Sequence, residues 1–440
     1  RWHCNRTHQP ASRQHVCCPP TGAADRTAIE CASRRCPLTA AADCTAIEWR
    51  LAAAGPAVER TTPPAASANC ASEVSFFTLD PSDSARRAGW ALTRRIRTSM
   101  RAPIVVVCLS VLVSAQSLVH PPGVTDEVRI AIQRGQEWLT ANQAVDGGWR
   151  NGGGFGSYEI AMTSLAGMAI LGGGSTATRG QQWKEVRRAT KFLLRRADSE
   201  TGYISAGREE HHGMFGHGFA TLFLASVYGM EQDVRMQKKL KRVLDRAVQL
   251  ICSSQSSAGG WFYTPDSNRD EGSVTVTQIQ ALRACRMAGI VVSKSTIDRA
   301  VNYIKRCQNA DGGIRYQLSM GASKSRPAIS AAGVAVLYNA GVYDDQPFVD
   351  KAVRYCQRIL KPSVNNTGHP FYAHYYWAQA LYQRGGKDWQ DYYQTAVTWL
   401  LKQQTADGSW KGDSVGRAYG TSMALTILQL PYALVPIYQR

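Results

Sequence analysis

Residues 127 to 440 are expected to form an all-α toroid, six helical hairpins closed into a ring. Three observations predict it. A seven-residue turn recurs at Gln143 to Trp149 (QAVDGGW), Gln255 to Trp261 (QSSAGGW), Gln308 to Ile314 (QNADGGI) and Gln404 to Trp410 (QTADGSW), each with Gln six residues before a large apolar residue. Two kinds of helical segment alternate between these turns. Their register is constant, since Leu165, Leu222, Leu282 and Val334 each stand seven residues before a Gly, at 172, 229, 289 and 341.

The first kind of segment is charged and amphipathic, as at Glu127 to Ala141, Lys184 to Arg196, Leu240 to Cys252, Thr296 to Cys307, Pro347 to Arg358 and Trp389 to Lys402. The second is poor in charge and rich in small and apolar residues. It covers Tyr158 to Leu171, His217 to Tyr228, Ser273 to Ala288, Ser330 to Ala340, Ala373 to Arg384 and Tyr419 to Leu430. An element apolar on most faces must be covered on most faces, so the second kind belongs inside. An open solenoid leaves that inner row facing water, whereas a closed ring hides it. Arg196 and Gln357 hold the Gln position in the two repeats whose turn has degenerated.

In the turn, Asp-Gly or Gly-Gly supplies a left-handed residue that closes the preceding helix. The Gln amide has donors enough to tie that helix end to the next element, and the Trp covers it. Gln143, Trp149, Gln255, Trp261, Gln308, Gln404 and Trp410 are therefore assigned to structure.

The stretch before the toroid reads differently. Residues 1–99 contain no Lys and hold seven of the 12 Cys, with no sustained apolar period and no paired CxxC. They read as an extension outside the native coding sequence, which makes Met100 the expected start. Residues 100–115 then read as a signal peptide, with Arg101, an apolar run from Ile104 to Val113 and a small-residue cleavage site at Val113-Ser114-Ala115. Ten apolar residues are too few to span a bilayer. Residues 116–126 form a linker, and the expected product is exported without an integral membrane segment.

The formal charge of +18 leaves +12 for residues 116–440. Its densest cluster, Lys238, Lys239, Lys241 and Arg242, falls on an amphipathic segment and reads as a solvated face. No nucleic-acid motif accompanies it, so no nucleic-acid partner is expected. The four Cys of the toroid, Cys252, Cys285, Cys307 and Cys356, read as buried thiols, with a disulfide open to an exported protein. The histidines His211, His212, His217, His369 and His374 lie in repeats two and five, opposed across a six-fold ring. Neither metal nor cofactor is expected.

The Gln-x-x-Asp-Gly-x-Trp turns resemble those of the prenyltransferase and squalene-oxidase repeat family, which includes squalene-hopene cyclases and protein prenyltransferase β subunits. GHGFATLFL at Gly216, SVTVTQIQALR at Ser273 and HYYWAQALYQ at His374 resemble exported bacterial members. The resemblance spans about Glu127 to Leu430 and implies the toroid fold. In cyclases it also implies a general acid in an Asp-x-Asp-Asp motif, which this chain lacks; the nearest stretch supplies Asp270 and Glu271 at the head of an inner helix. The zinc ligands implied by the prenyltransferase branch are lacking too.

Asp270 and Glu271 are thus the candidate acids, with a helix cap as the alternative role, and His217 is placed one repeat away to pair with either. Tyr158, Glu159, Phe215, Tyr263, His374, Tyr375, Tyr376, Arg417 and Tyr419 are the candidate ligand-binding residues at one end of the ring. The expected function is an exported binding protein taking an apolar or polymeric ligand in or on the toroid, its protein partners unspecified. The alternatives are a terpenoid-cyclase-like isomerase using Asp270 or Glu271, and a polysaccharide-active toroid using Glu159 and Asp270.

Overall fold

The computed structural model describes residues 120–152, 157–207, 209–265, 268–321, 323–342, 346–362 and 368–439. All belong to the compact unit Cys108–Arg440. The extension, the signal segment, the start of the linker, and Asp344 and Asp345 lie outside the described residues.

Twelve α-helices run through the described residues. The outer row is α1 (Asp126–Ala141), α3 (Trp183–Arg196), α5 (Val234–Ser253), α7 (Lys294–Arg306), α9 (Gln346–Ile359) and α11 (Gly386–Gln403). The inner row is α2 (Glu159–Gly172), α4 (Gly213–Tyr228), α6 (Gly272–Met287), α8 (Pro327–Asn339), α10 (Pro370–Arg384) and α12 (Arg417–Gln429). Each inner helix packs on the next, and α12 packs on α2. On the outside, α1 packs on both α11 and α12, so the ring is closed.

Burial divides the rows as the two residue patterns require. Every residue of α2 from Ile160 to Gly172 is buried, while α5 buries the stripe Leu240, Leu244, Ala247, Val248 and Ile251. Several helices start earlier than their apolar period suggests. In α5 the Asp233 carboxylate caps the Arg235 and Met236 amides, and before Leu240 only Met236 is half-buried.

The recurring turn joins neighbouring repeats. Gln143 Nε2 donates to the Gly147 carbonyl (2.8 Å) and to Glu185 O in the next outer helix (3.0 Å). Gln255 repeats this with Gly259 and Thr296, and Gln308 with Gly312 and Phe348. Gln404 bonds Gly408 and Ala131 O (both 2.9 Å), stitching the last repeat to the first. In the degenerate fifth turn, Gln357 still reaches α11 through Asp388 (3.3 Å).

The left-handed glycine has a different job from the one its position suggests. Gly147, Gly259, Gly312 and Gly408 have φ of +94°, +99°, +89° and +89°. They sit inside the turn, beyond the helix end. A Cβ on any of them would lie 2.4 to 2.6 Å from a carbonyl oxygen of the adjoining outer helix, on Arg188, Arg299, Lys351 or Arg134. The glycine thus permits close approach between repeats. The helix end is closed instead by tryptophan: the indoles of Trp149, Trp261 and Trp410 donate to Leu139 O, Ile251 O and Leu400 O at 2.7 to 2.9 Å.

Side chains meet across the inner row. Gln280 Nε2 on α6 donates to Gln379 Oε1 on α10 (2.9 Å), bridging two inner helices that are not ring neighbours. At the end where the inner helices finish, residues 430–439 leave α12 and reach α6 on the opposite side of the ring. Val435, Ile437 and Tyr438 of this tail are buried, and Tyr438 Oη lies 3.1 Å from Tyr375 Oη. A cavity of about 10 Å³ beside the tail, lined in part by Met168, Thr426, Gln429 and Tyr438, has room for about one water.

Candidate functional site

The other end of the ring, where the inner helices begin, brings together the buried Glu209 and Glu271 and the half-buried Asp413. These three cap alternate members of the inner row. Glu271 is the N-cap of α6, accepting from Ser273 N (3.0 Å), Ser273 Oγ and Val274 N. Glu209 lies in the loop before α4 and reaches back to the first amides of α2, those of Glu159 and Ile160. Asp413 lies in the loop before α12 and accepts the Phe371 amide at the start of α10. Helix N-termini favour negative charge. Burial opposes it and wins: it pushes Glu209 up to about 7 and Asp413 up to about 6, and Glu271 is raised for the same reason.

Tyrosines surround these groups. Tyr263 Oη meets Tyr316 Oη at 2.5 Å, and Tyr316 bonds the Glu271 carboxyl. Tyr419 donates to Asp413 Oδ2 (3.4 Å), and Tyr158 feels the Glu209 charge. Burial raises the pKa of all four hydroxyls, so they stay neutral hydrogen-bonding groups around pH 7. Tyr158 and Tyr263 keep part of their surface in solvent, and Tyr158 stands at the head of α2 with φ of +40°. Glu159 is salt-bridged to Arg150 (2.6 Å) and Arg196 (3.1 Å).

The predicted site residues divide between this mouth and other duties. Tyr158, Glu159, Tyr263, Glu271 and Tyr419 stand at the mouth. Phe215 is half-buried, edge-on to Phe219 at 5.2 Å. Asp270 is buried and accepts Tyr303 Oη (2.6 Å) and Leu318 N (3.2 Å), which ties it to α7 rather than to Glu271. Tyr375 and Tyr376 are fully buried in the core, Tyr375 against the tail. Arg417 belongs to the Gln404 turn, bonding Asp407 (3.0 Å) and Ser409 Oγ (2.5 Å). The four toroid cysteines are free thiols. Among the described residues no His, Cys, Asp and Glu group is arranged to hold a metal ion.

The two histidines hold matching places in their repeats. In the four intact repeats, the amide closing the turn donates to a hydroxyl near the head of the inner helix: Trp149 to Thr163, Trp261 to Thr275, Ile314 to Ser330 and Trp410 to Thr421, at 2.7 to 3.1 Å. In the degenerate second repeat, Ile204 N donates to His217 Nδ1 (3.1 Å). His374 holds the matching place in the fifth, beside Tyr392 Oη (3.1 Å) and the Lys361 carbonyl. Both rings are buried and face outer elements, and burial pulls each pKa down to about 4. His217 bonds the Ile204 amide, while Asp270 bonds Tyr303 and Leu318 and Glu271 bonds the head of α6, so the expected acid–base pair does not form. We expect His217→Ala to orphan the buried Ile204 amide and leave a cavity, lowering unfolding free energy by about 2 to 4 kcal/mol. His217→Asn, whose Oδ1 can replace Nδ1, should recover part of that in urea titrations; equal losses in the two variants would refute the role.

Glu209, Asp413 and Tyr316 were not foreseen. Their signal was faint: Glu209 precedes the His211-His212 pair that drew attention to the same loop, and Asp413 follows the fourth turn by three residues.

No protein-family model matches the chain, and no curated protein matches it in sequence. Solved structures do match in shape. An inactive variant of the α-1,6-mannanase GH76A of Salegentibacter sp. HEL1_6, in complex with α-1,6-mannotriose, is 8% identical with a TM-score of 0.51, over 70% of this chain and 100% of that one. The fold is the α/α toroid. The type II terpene cyclase MstE from Scytonema is 14% identical with a TM-score of 0.49, over 71% of this chain and 100% of its own. A protein from Actinoplanes is 17% identical with a TM-score of 0.49, over 70% and 99%.

Proposed function

We propose that this protein is an exported toroid that binds a hydroxyl-rich polymer, an oligosaccharide chain or its end, at the mouth where the inner helices begin. One observation carries the reading: the polar, aromatic groups gather at the mouth, while Gln280 and Gln379 meet across the inner row and residues 430–439 reach α6 at its far end. Tyrosine faces suit the C–H faces of sugar rings, and fixed carboxyl and phenol groups suit their hydroxyls. An apolar ligand of terpenoid size needs several hundred Å³ of enclosed apolar space. Asp270 and Glu271, engaged with Tyr303 and with the head of α6, are poorly placed as alkene-protonating acids.

A hydrolytic version is favoured by Glu209. A carboxyl group half-protonated near neutral pH suits a general acid, and the salt-bridged Glu159 adjoins it.

Calorimetric titration with a panel of neutral oligosaccharides is expected to find a ligand whose affinity falls at least tenfold in Tyr263→Ala. Product analysis with the ligand found distinguishes binding from hydrolysis, which Glu209→Gln should abolish. A terpenoid enriched in organic extracts of the purified protein, with no oligosaccharide bound, would overturn the reading.

A further inference from the structure

The outer wall of the ring, whose helices begin at the face opposite the mouth, is divided into two unlike halves. Over α3, α5 and α7 the sequence carries 16 Lys and Arg against 3 Asp and Glu; over α1, α9 and α11 it carries 7 against 6. The placement within the helices is also unusual. A helix N-terminus carries partial positive charge and normally attracts carboxylates, as Asp126 and Glu127 show on α1 and Asp388 on α11. Lys184, Arg235 and Lys294 instead occupy the first turns of α3, α5 and α7, and α5 and α7 have no acidic residue there. The cations add to carboxylates already near these ends, Glu185 in α3, the Asp233 cap of α5 and Asp298 paired with Lys294 in α7.

Large apolar side chains project from the same edge. Trp183 opens α3 and is 38% exposed, Val234 opens α5 at 60%, and Val291 precedes α7 at 90%. Met287, at the end of α6, and Leu434, beside Gly174 ahead of α3, are exposed too. The up-and-down alternation of the hairpins brings all these positions to one face of the ring. They come from separate connections and project singly, which suits a flat apolar layer behind an anionic surface better than a groove for a peptide. Lys238 and Lys239 of α5 extend the cationic zone and are exposed; neither has an ion pair among the described residues.

We infer that the edge formed by α3, α5 and α7 docks on an anionic lipid surface, with Trp183, Val234 and Val291 entering the headgroup layer and Lys184, Arg235, Lys238 and Lys239 meeting lipid phosphates. Docking there leaves the mouth facing away from the bilayer. No helix of the described residues is long and apolar enough to cross a membrane, so the attachment is peripheral.

The test is co-sedimentation of the full chain with vesicles of phosphatidylcholine alone or containing phosphatidylglycerol. Binding is expected only with phosphatidylglycerol, and should be reversed by 0.5 M salt through screening, as a roughly 3 Å Debye length near 1 M implies. Lys184→Glu/Arg235→Glu/Lys238→Glu should weaken partitioning about a hundredfold or more, from the loss of three near-surface cations. Trp183→Ser/Val291→Ser should weaken it severalfold while thermal unfolding stays unchanged. Equal binding to phosphatidylcholine alone, no binding to either vesicle, or full binding by the charge-reversed variant would overturn the inference. So would capture by polyglutamate without vesicle binding, which would assign the face to an acidic protein.

Discussion

Trp410→Ala is expected to lower the unfolding free energy by about 3 to 5 kcal/mol, the range for truncating a buried aromatic side chain. Trp410 is fully buried and caps α11 through its indole bond to Leu400 O (2.8 Å). Its ring also lies against the backbone of α1, where a Cβ at Gly135 would stand 2.9 Å from Cζ3. Truncation therefore removes one of two donors to the Leu400 carbonyl, which keeps the Gln404 amide (3.1 Å), and opens a cavity at the seam where the last repeat meets the first. Trp410→Phe keeps most of the apolar area and loses the indole donor, so a loss of about 1 to 2 kcal/mol is expected. Urea unfolding followed by helical circular dichroism measures both. A loss below 1 kcal/mol for Trp410→Ala would mean that the seam does not depend on this side chain.

The seam explains why so much of the fold was legible in the sequence. Trp410 and Gln404 work through contacts that every intact repeat must make, so the same residue types recur at the same spacing. Periodicity likewise reported the inner and outer helices, because burial on most faces leaves a compositional mark. Helix starts were less legible: before Leu240 the first turns of α5 half-bury only Met236, and the clearest signal is the cap at Asp233.

The candidate site was legible only in part, for a related reason. Glu209 and Asp413 serve inner helices of the preceding repeat, so neither stands at the head of the helix it caps. His217 and His374 misled in the opposite direction. Their spacing reported a repeat position correctly, but at His217 that position accepts a turn amide, and at His374 it meets Tyr392 Oη and the Lys361 carbonyl. Where Thr or Ser fills it, as at Thr163 and Ser330, nothing in the residue type suggests chemistry. Arg417 was drawn to the mouth by its place at the head of α12, whereas Asp407 and Ser409 hold it in the turn.

The second large effect expected is a change in pH dependence on replacing Glu209. Its folded pKa of about 7 lies above the ordinary 4.5, so the folded state holds a proton that the unfolded chain releases. Such a group contributes most to stability below pH 4.5, and its contribution falls as pH rises to 7. Asp413, raised from 3.8 to about 6, acts in the same direction. His217 and His374, lowered from 6.5 to about 4, act in the opposite one: the unfolded chain takes up their protons as pH falls below 6.5, which removes stability. Between about pH 5 and 6 the two carboxyls and two imidazoles nearly offset each other, and these four groups leave stability almost level. Above pH 6.5 the histidines no longer titrate and the Glu209 cost emerges. Glu209→Gln keeps an oxygen for the Glu159 and Ile160 amides and cannot ionise. It should therefore be more stable than the parent at pH 8 by about 2 kcal/mol, since the full shift is worth about 3 kcal/mol and partial contact with water reduces it. At pH 4.5 the two should differ little. The variant should also lose stability on acidification from pH 6.5 to 5, where the parent does not, because the histidines then act with less opposition. Urea unfolding at pH 4.5, 5, 6.5 and 8 measures every one of these differences. Parallel curves for parent and variant would show that Glu209 is charged in the folded protein, and would remove it as a proton donor at the mouth.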